Sequence, residues 1–327
     1  MVPPLVSLEE HFFSQAALSG STEKYSEQFK HSPGIADKLA DVGDLRLKFM
    51  EAGKVSFQVV SHAPGAMSPS QCRAANDQLS EAIKRNPERF AGFAVLPVSN
   101  PSACAGELTR CINDLGFVGA LIDNHAEDGT YFDGEAYFPM FQAAQDLDVP
   151  IYLHPTWPTD AMVSTLYTGN FSLGASKSIS SSGWGWHSDT ATHVLRLFAA
   201  GLFDKLPKLK IIVGHMGEML PFMLGRIMML SPRWGPRERN FKEVWDANIY
   251  ITTSGYWSVD PMACILRNTP IEHILYSVDY PFGRNEDGLV FMQELEKSGL
   301  VTKEQFEMIA YSNAEKLLGV RANKRWD

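Results

Sequence analysis

Eight short apolar, β-rich runs, separated by amphipathic stretches, constrain this chain more than any other feature. They fall at Leu5–His11, Val55–Ser61, Phe90–Pro97, Phe117–Asp123, Val149–His154, Leu209–His215, Asn248–Ser254 and Ile274–Asp279. Most are near-continuous apolar runs, the pattern of strands covered on both faces of a parallel sheet. Between them, Ile35–Ala52, Ser70–Lys84, Ala103–Leu115 and Asp189–Phe203 carry Leu, Ala and Met at three- and four-residue spacing with charges opposite, which predicts helices. Strand and helix in alternation predict an α/β fold, and eight is the strand count that closes a (β/α)8 TIM barrel. An open doubly wound sheet competes, but no glycine-rich phosphate loop follows the first run. With no linker and no internal repeat, residues 1–327 read as one domain, at a length that barrels commonly use. Two stretches depart from the alternation. Thr156–His187, after the fifth run, is long, polar and rich in Gly, Ser and Trp, which predicts a functional loop or lid. The chain after Thr302 predicts one further helix, ending near Leu318, and then a charged tail.

Charge narrows the partners. Lys and Arg number 29 against 38 Asp and Glu, a net charge of −9. This excludes a generally basic footprint for nucleic acid or a membrane surface. An anionic ligand would need a local cation to capture it. The four cysteines, Cys72, Cys104, Cys111 and Cys264, are scattered without a CxxC pair, which fits a reducing compartment. The N-terminal stretch has neither a basic region nor a long apolar core, so no signal peptide is expected. No apolar run reaches the roughly 18 residues of a membrane span, and the expected location is the cytoplasm.

In a barrel, the C-terminal strand ends carry the chemistry. Here they read Glu9-Glu10-His11 on the first strand, His154 on the fifth, His215-Met-Gly-Glu218 after the sixth and Asp279-Tyr-Pro on the eighth. Strand alternation puts Glu9 and His11 on one face. Glu9, His11, His154 and Asp279 together form an N/O set suited to a divalent metal such as Zn or Mn. Each has a blander reading alone: a hydrogen-bonded strand-end histidine, a turn-capping aspartate, a surface ion pair. Their convergence at one end of a barrel favours the metal.

Several longer stretches carry a resemblance: LEEHF at 8–12, RFAGFAVLPVSNP at 89–101, RCINDLGFVGALI at 110–122 and DVPIYLHP at 148–155. LRLFAAGLFDKLPKLKIIVGHMGEMLPFMLGRI at 195–227, ITTSG at 251–255 and ILYSVDYPF at 274–282 continue it. The chain resembles the decarboxylase branch of the amidohydrolase superfamily, the γ-resorcylate, 2,3-dihydroxybenzoate and salicylate decarboxylases, over nearly its whole length. The resemblance implies that Glu9, His11, His154 and Asp279 ligate the metal, that His215 and Glu218 form a hydrogen-bonded pair beside it, and that Arg226 lies near the substrate. It also implies a homodimer or homotetramer. Glu-x-His replaces the His-x-His of hydrolytic relatives, and the fourth strand (GALIDNH) lacks the lysine of two-metal members. Both departures point to one metal and away from hydrolysis.

The chemistry expected is loss of CO2 from an ortho-hydroxylated aromatic acid, releasing a phenol. A chelated metal would act as Lewis acid and template. Asp279 is the candidate proton donor to the ring, and His215 with Glu218 would hold a substrate oxygen or shuttle a proton. Glu218 reads equally as a first-turn helix acid, and Arg226 as a surface residue. Phe12, Trp157, Trp184, Trp186, Tyr256, Trp257 and Phe282 follow strand ends or lie in the long loop. Of these, Phe12, Trp157, Trp186 and Phe282 are the candidate walls for a flat substrate. His62, His125 and His187 are weaker candidate contacts. Two other functions compete: a metal-dependent lactone or amide hydrolase, separable by its products, and a non-catalytic metal-binding barrel.

Overall fold

The computed structural model describes residues 3–17, 24–25, 29, 32–323 and 326, so the end of the charged tail lies outside the described residues. All eight expected strands are present, as β1 (Leu5–Phe12), β2 (Val55–His62), β3 (Phe90–Gly92), β4 (Ala120–Asp123), β5 (Ile151–His154), β6 (Ile211–Val213), β7 (Ile249–Thr252) and β8 (Ile274–Leu275). Every neighbouring pair is parallel, in the order β1-β2-β3 and β4-β5-β6-β7-β8. Single bridges, Ala94 to Ala120 and Glu10 to Tyr280, join the two arcs into a closed barrel. Several ladders are shorter than the apolar runs that announced them, because the ends of those runs leave the sheet while still packing. Phe93 and Ala94 continue beyond β3 in this way, through Phe93 N–H to Val60 O and Ala94 N–H to Gly119 O.

Inward-facing Val6, Leu8, Phe57, Val59, Phe93, Leu121, Tyr152, Ile212 and Leu275 form one buried group, and Ala314 and Leu318 of the C-terminal helices pack against it. The outward faces meet the helices in a larger core that includes Val60, Leu79, Leu108, Phe141, Val213, Trp245 and Phe291.

β1 carries the irregularity that shapes the mouth. Between the pairs Ser7–Gln58 and Glu10–Val60 it advances three residues while β2 advances two, a β-bulge. Val6 and Leu8 face inward below the bulge, and above it the inward phase passes to Glu9 and His11. Bulges re-aim side chains next to functional sites. The extra backbone donors find a side chain: Leu8 N–H and Glu9 N–H both donate to Ser277 Oγ, at 3.1 and 2.8 Å. Glu10, turned outward, accepts from the Val278 and Tyr280 amides at 3.1 and 3.0 Å and so ties β1 to the chain after β8.

Two expectations need correcting. Ile35–Ala52 is two helices, Ile35–Ala40 and Asp44–Ala52, parted at Asp41-Val42-Gly43, where Asp41 Oδ1 accepts from the Gly43 and Arg46 amides. The stretch 156–187 is largely short helices, Asp160–Met162, Val163–Tyr167 and Leu173–Ser180, and the next helix begins at Gly185. Its Ser and Thr content gave it the composition of a loop, yet Thr159 and Ser172 are N-caps, accepting from Met162 N–H and Ala175 N–H.

Candidate metal centre and active site

Glu9, His11, His154 and Asp279 converge at the mouth, with one ligand atom of each lying within 4.8 Å of the others. His154 Nε2 is 3.0 Å from Glu9 Oε1, and His11 Nε2 is 3.2 Å from Asp279 Oδ1. Glu9 Oε1 and His11 Nε2 are nonetheless buried without a hydrogen-bond partner. Buried polar atoms left in this way are costly, and a cation between them would satisfy both at once. The donor set therefore fits one divalent ion.

The surrounding groups orient these side chains. His154 Nδ1–H donates to Pro155 O at 2.7 Å, which leaves the Nε2 lone pair facing the cluster. Glu9 Oε2 accepts from the hydroxyls of Tyr152 and Ser254, and Thr252 Oγ1 bonds both hydroxyls, at 2.8 and 2.6 Å. This aims Oε1 at the cluster. Burial alone would raise the Glu9 carboxyl, but His215 and His154 outweigh it and hold the group well below the usual carboxylate range. Asp279 is held in the left-handed region (φ 67°) against Gly255, where a Cβ would lie 3.3 Å from its Oδ2.

After β6 the backbone runs left-handed from His215 to Met219, with φ of 47°, 59°, 84°, 52° and 66°. Four of these residues are not glycine, and each costs about 1–2 kcal/mol in that conformation. The turn brings His215 and Glu218 together, Nδ1–H donating to Oε1 at 2.7 Å, and Glu218 Oε2 lies 2.7 Å from His187 Nδ1. Strain of this kind persists where surrounding bonds enforce it. Burial opposes the charge on His215, but the Glu218 and Glu9 carboxylates raise its pKa well above the ordinary value of 6.5. Burial likewise opposes ionisation of Glu218, whose pKa His215 and His187 lower below 4.5. The sign of each shift fixes a stability window in the metal-free protein. The Glu218 contribution is present above pH 4.5 and lost as pH falls through its depressed value; the His215 contribution is present below pH 6.5 and lost as pH rises through its raised value. Glu218→Gln is expected to lower Tm between those limits and to flatten both flanks of the Tm profile, measured on metal-free protein. An unchanged profile would remove this pair from the stability of the fold.

The aromatic candidates separate. Phe282 lies 5.8 Å from the His11 ring and stacks on Tyr25, which meets Trp157 edge-on at 5.7 Å; Trp157 in turn meets Trp186 at 4.9 Å. Phe12 does not join them. The alternation that turns His11 inward sends Phe12 outward, onto His62 and into the strand–helix core. Arg226 is exposed on the helix Leu220–Leu230 and makes no hydrogen bond or ion pair with the cluster. His187, read only as a weak contact, is drawn in through Glu218. Tyr152, Thr252 and Ser254 had no metal-ligating chemistry to mark them, although the stretches DVPIYLHP and ITTSG that contain them carry the resemblance.

The closed eight-stranded barrel and this carboxylate–imidazole cluster define a metal-dependent α/β barrel protein. The amidohydrolase family profile matches residues 8–320, and the chain belongs to that family. It is 54% identical over 331 residues to decarboxylase orsB of Emericella nidulans, covering 99% of each chain. It is 38% identical to the γ-resorcylate decarboxylase of Rhizobium radiobacter, over 85% of this chain and 88% of that one. It also superposes, with a TM-score of 0.86 and 30% identity over 97% of each chain, on a dihydroxybenzoic acid decarboxylase from Polaromonas sp. JS666. That structure contains manganese and the inhibitor 2-nitroresorcinol.

Proposed function

We propose that this protein is a metal-dependent, non-oxidative decarboxylase of ortho-hydroxylated aromatic carboxylic acids, releasing CO2 and a phenol. The observation that carries the reading is the convergence of Glu9, His11, His154 and Asp279 on one point, with two buried ligand atoms unpartnered. The family relationship to named decarboxylases supports it. Those four residues would hold one divalent ion. The manganese of the Polaromonas enzyme favours manganese over zinc, although the donor set suits either. When bound, the ion supplies Lewis acidity to the substrate's oxygens.

The chain supplies the rest. His215, whose pKa Glu218 and Glu9 raise, presents Nε2 to the cluster, 3.7 Å from Glu9 Oε1 and 4.0 Å from Asp279 Oδ2, where it can hold an anionic substrate oxygen. Asp279 gives a proton to the ring carbon that bears the carboxylate. The C–C bond then breaks, CO2 leaves, and its bonding pair restores the aromatic ring. Asp279 regains its proton from solvent. Phe282, Trp157 and Trp186 wall the ring and keep water away from it. Dialysis against a chelator should abolish CO2 release from a dihydroxybenzoate, and added Mn2+ should restore it. Undiminished turnover by protein shown to be metal-free would sink the mechanism, and hydrolysed products without CO2 would favour a hydrolase.

Oligomer and location complete the proposal. The helix Leu220–Leu230 exposes Phe222 (83%), Met223, Met228 and Met229, an apolar face larger than scattered surface residues explain. We assign it to a homodimer or homotetramer contact. Arg226 rises from the same helix, so its part in capturing the substrate goes with that assembly. Light scattering should give a dimer or tetramer, and Phe222→Glu should shift it toward monomer. A monomeric native protein would refute the assignment. The four unpaired cysteines suit the cytoplasm, and no helix among the described residues is long and apolar enough to cross a membrane.

A further inference from the structure

The mechanism leaves one carboxylate at the mouth unused. Asp123 ends β4 directly across the ladder from His154. It follows inward-facing Leu121 by two residues, as His154 follows Tyr152, so both point to the mouth side. Asp123 nonetheless lies outside the ligand cluster. Its Oδ2 accepts from Gly65 N–H at 3.0 Å and Thr156 Oγ1–H at 3.2 Å, while its Oδ1 has no hydrogen-bond partner among the described residues. The side chain lines a cavity of about 210 Å3, together with Ala66, Val98, His125 and Trp157. Lys24, at the rim, pairs with Glu127 at 3.7 Å. Trp157 is also part of the aromatic group that reaches His11 through Tyr25 and Phe282, so this cavity adjoins the place of the ring.

A carboxylate oxygen accepts hydrogen bonds, and an ionised one has no proton to donate. Set beside Trp157 in a cavity that also carries Thr156, Glu127 and Asp160, it selects a flat ligand that meets the indole and carries an O–H at that edge. We propose that Asp123 accepts a hydrogen bond from a second ring hydroxyl, one that is not ortho-chelated, and thereby directs this chain to dihydroxylated acids over salicylate. The proposal rests on the decarboxylase reading given above. It assigns Asp123 to specificity and leaves the bond-breaking groups untouched.

The fixed donors make an unusually clean substitution available. In Asp123→Asn, Gly65 N–H and Thr156 Oγ1–H both require an acceptor, so the amide oxygen must take the Oδ2 place. The amide N–H2 then faces the cavity, turning an acceptor into a donor. The metal-loaded protein and its Asp123→Asn and Asp123→Ala variants would be assayed for CO2 release from salicylate and from 2,3-, 2,4-, 2,5- and 2,6-dihydroxybenzoate. In parallel, binding of phenol, the dihydroxybenzenes and the methoxyphenols would be read by quenching of tryptophan fluorescence.

The native protein is expected to favour one dihydroxylated ring by about ten- to a hundredfold in both assays, the effect of one hydrogen bond to a charged group. Asp123→Ala should abolish the preference, read as the ratio of dihydroxylated ring to salicylate at matched metal occupancy. Asp123→Asn should transfer the preference to the methoxy ring, which only accepts. A dihydroxy preference that survives in both variants, or no preference in the native protein, overturns the proposal. Preferential binding without CO2 from any acid would refute the decarboxylase reading and leave the Asp123 subsite standing.

Discussion

Asp279→Asn is expected to lower kcat for decarboxylation by about 10²–10⁴-fold, the range over which a positioned acid contributes, and to lower metal occupancy as well. The asparagine keeps the shape and the Gly255 contact but has no proton of carboxylic acidity to give. Geometry ties both losses to one side chain: Oδ1 is 3.2 Å from His11 Nε2 within the ligand cluster, and Oδ2 faces His215 at 4.0 Å. The losses can be separated by titrating the variant with Mn2+ until occupancy matches the native protein and then measuring CO2 release. Activity restored by saturation would leave Asp279 as a ligand only. Activity still absent at full occupancy would make it the proton donor. Full activity and full occupancy without added metal would strip it of both roles.

The strands and the convergence of Glu9, His11, His154 and Asp279 were legible because each depends on short-range pattern. Apolar runs mark buried strands, and period-two alternation puts Glu9 with His11. What was not legible depends on contacts between distant segments. The bulge in β1 is invisible in LVSLEEHF, since its extra donors are satisfied by Ser277, 268 residues away from Glu9. His187 and Glu218 are 31 residues apart and meet only because the chain after β6 turns left-handed. Phe12 packs toward the helices for the same reason that His11 faces the mouth: adjacent residues on a strand point to opposite sides, so nearness in sequence to the cluster does not make a wall of it. Composition alone gives 156–187 the look of a loop, whereas Thr159 and Ser172 act by position, as caps.

Gly214 shows the same limit from the side of energetics, and its substitution is the second large effect. Its φ of −79° is one that any residue adopts, so conformation does not require glycine there. Space does. A Cβ at this position would lie 2.8 Å from Glu9 Oε2, 3.0 Å from the Tyr152 hydroxyl and 3.4 Å from Glu218 Oε1. None of these can retreat freely, because Glu9 Oε2 is held by Tyr152 and Ser254, and Glu218 by His215 and His187. Gly214→Ala should therefore push the Glu9 carboxylate off its aim, and metal affinity should fall by about 10- to 100-fold, as when groups that orient a ligand are lost. Overpacking of this size also costs about 1–3 kcal/mol of stability. Isothermal titration with Mn2+ and thermal unfolding of the metal-free variant read the two effects apart. Native affinity in Gly214→Ala would mean that the carboxylate relaxes without loss, and that the hydroxyls beneath it do not set its direction. Gly255→Ala is the internal comparison: its Cβ would meet Asp279 Oδ2 at 3.3 Å and its φ is +56°. It tests the opposite wall of the site, where backbone strain and not only volume resists the methyl group.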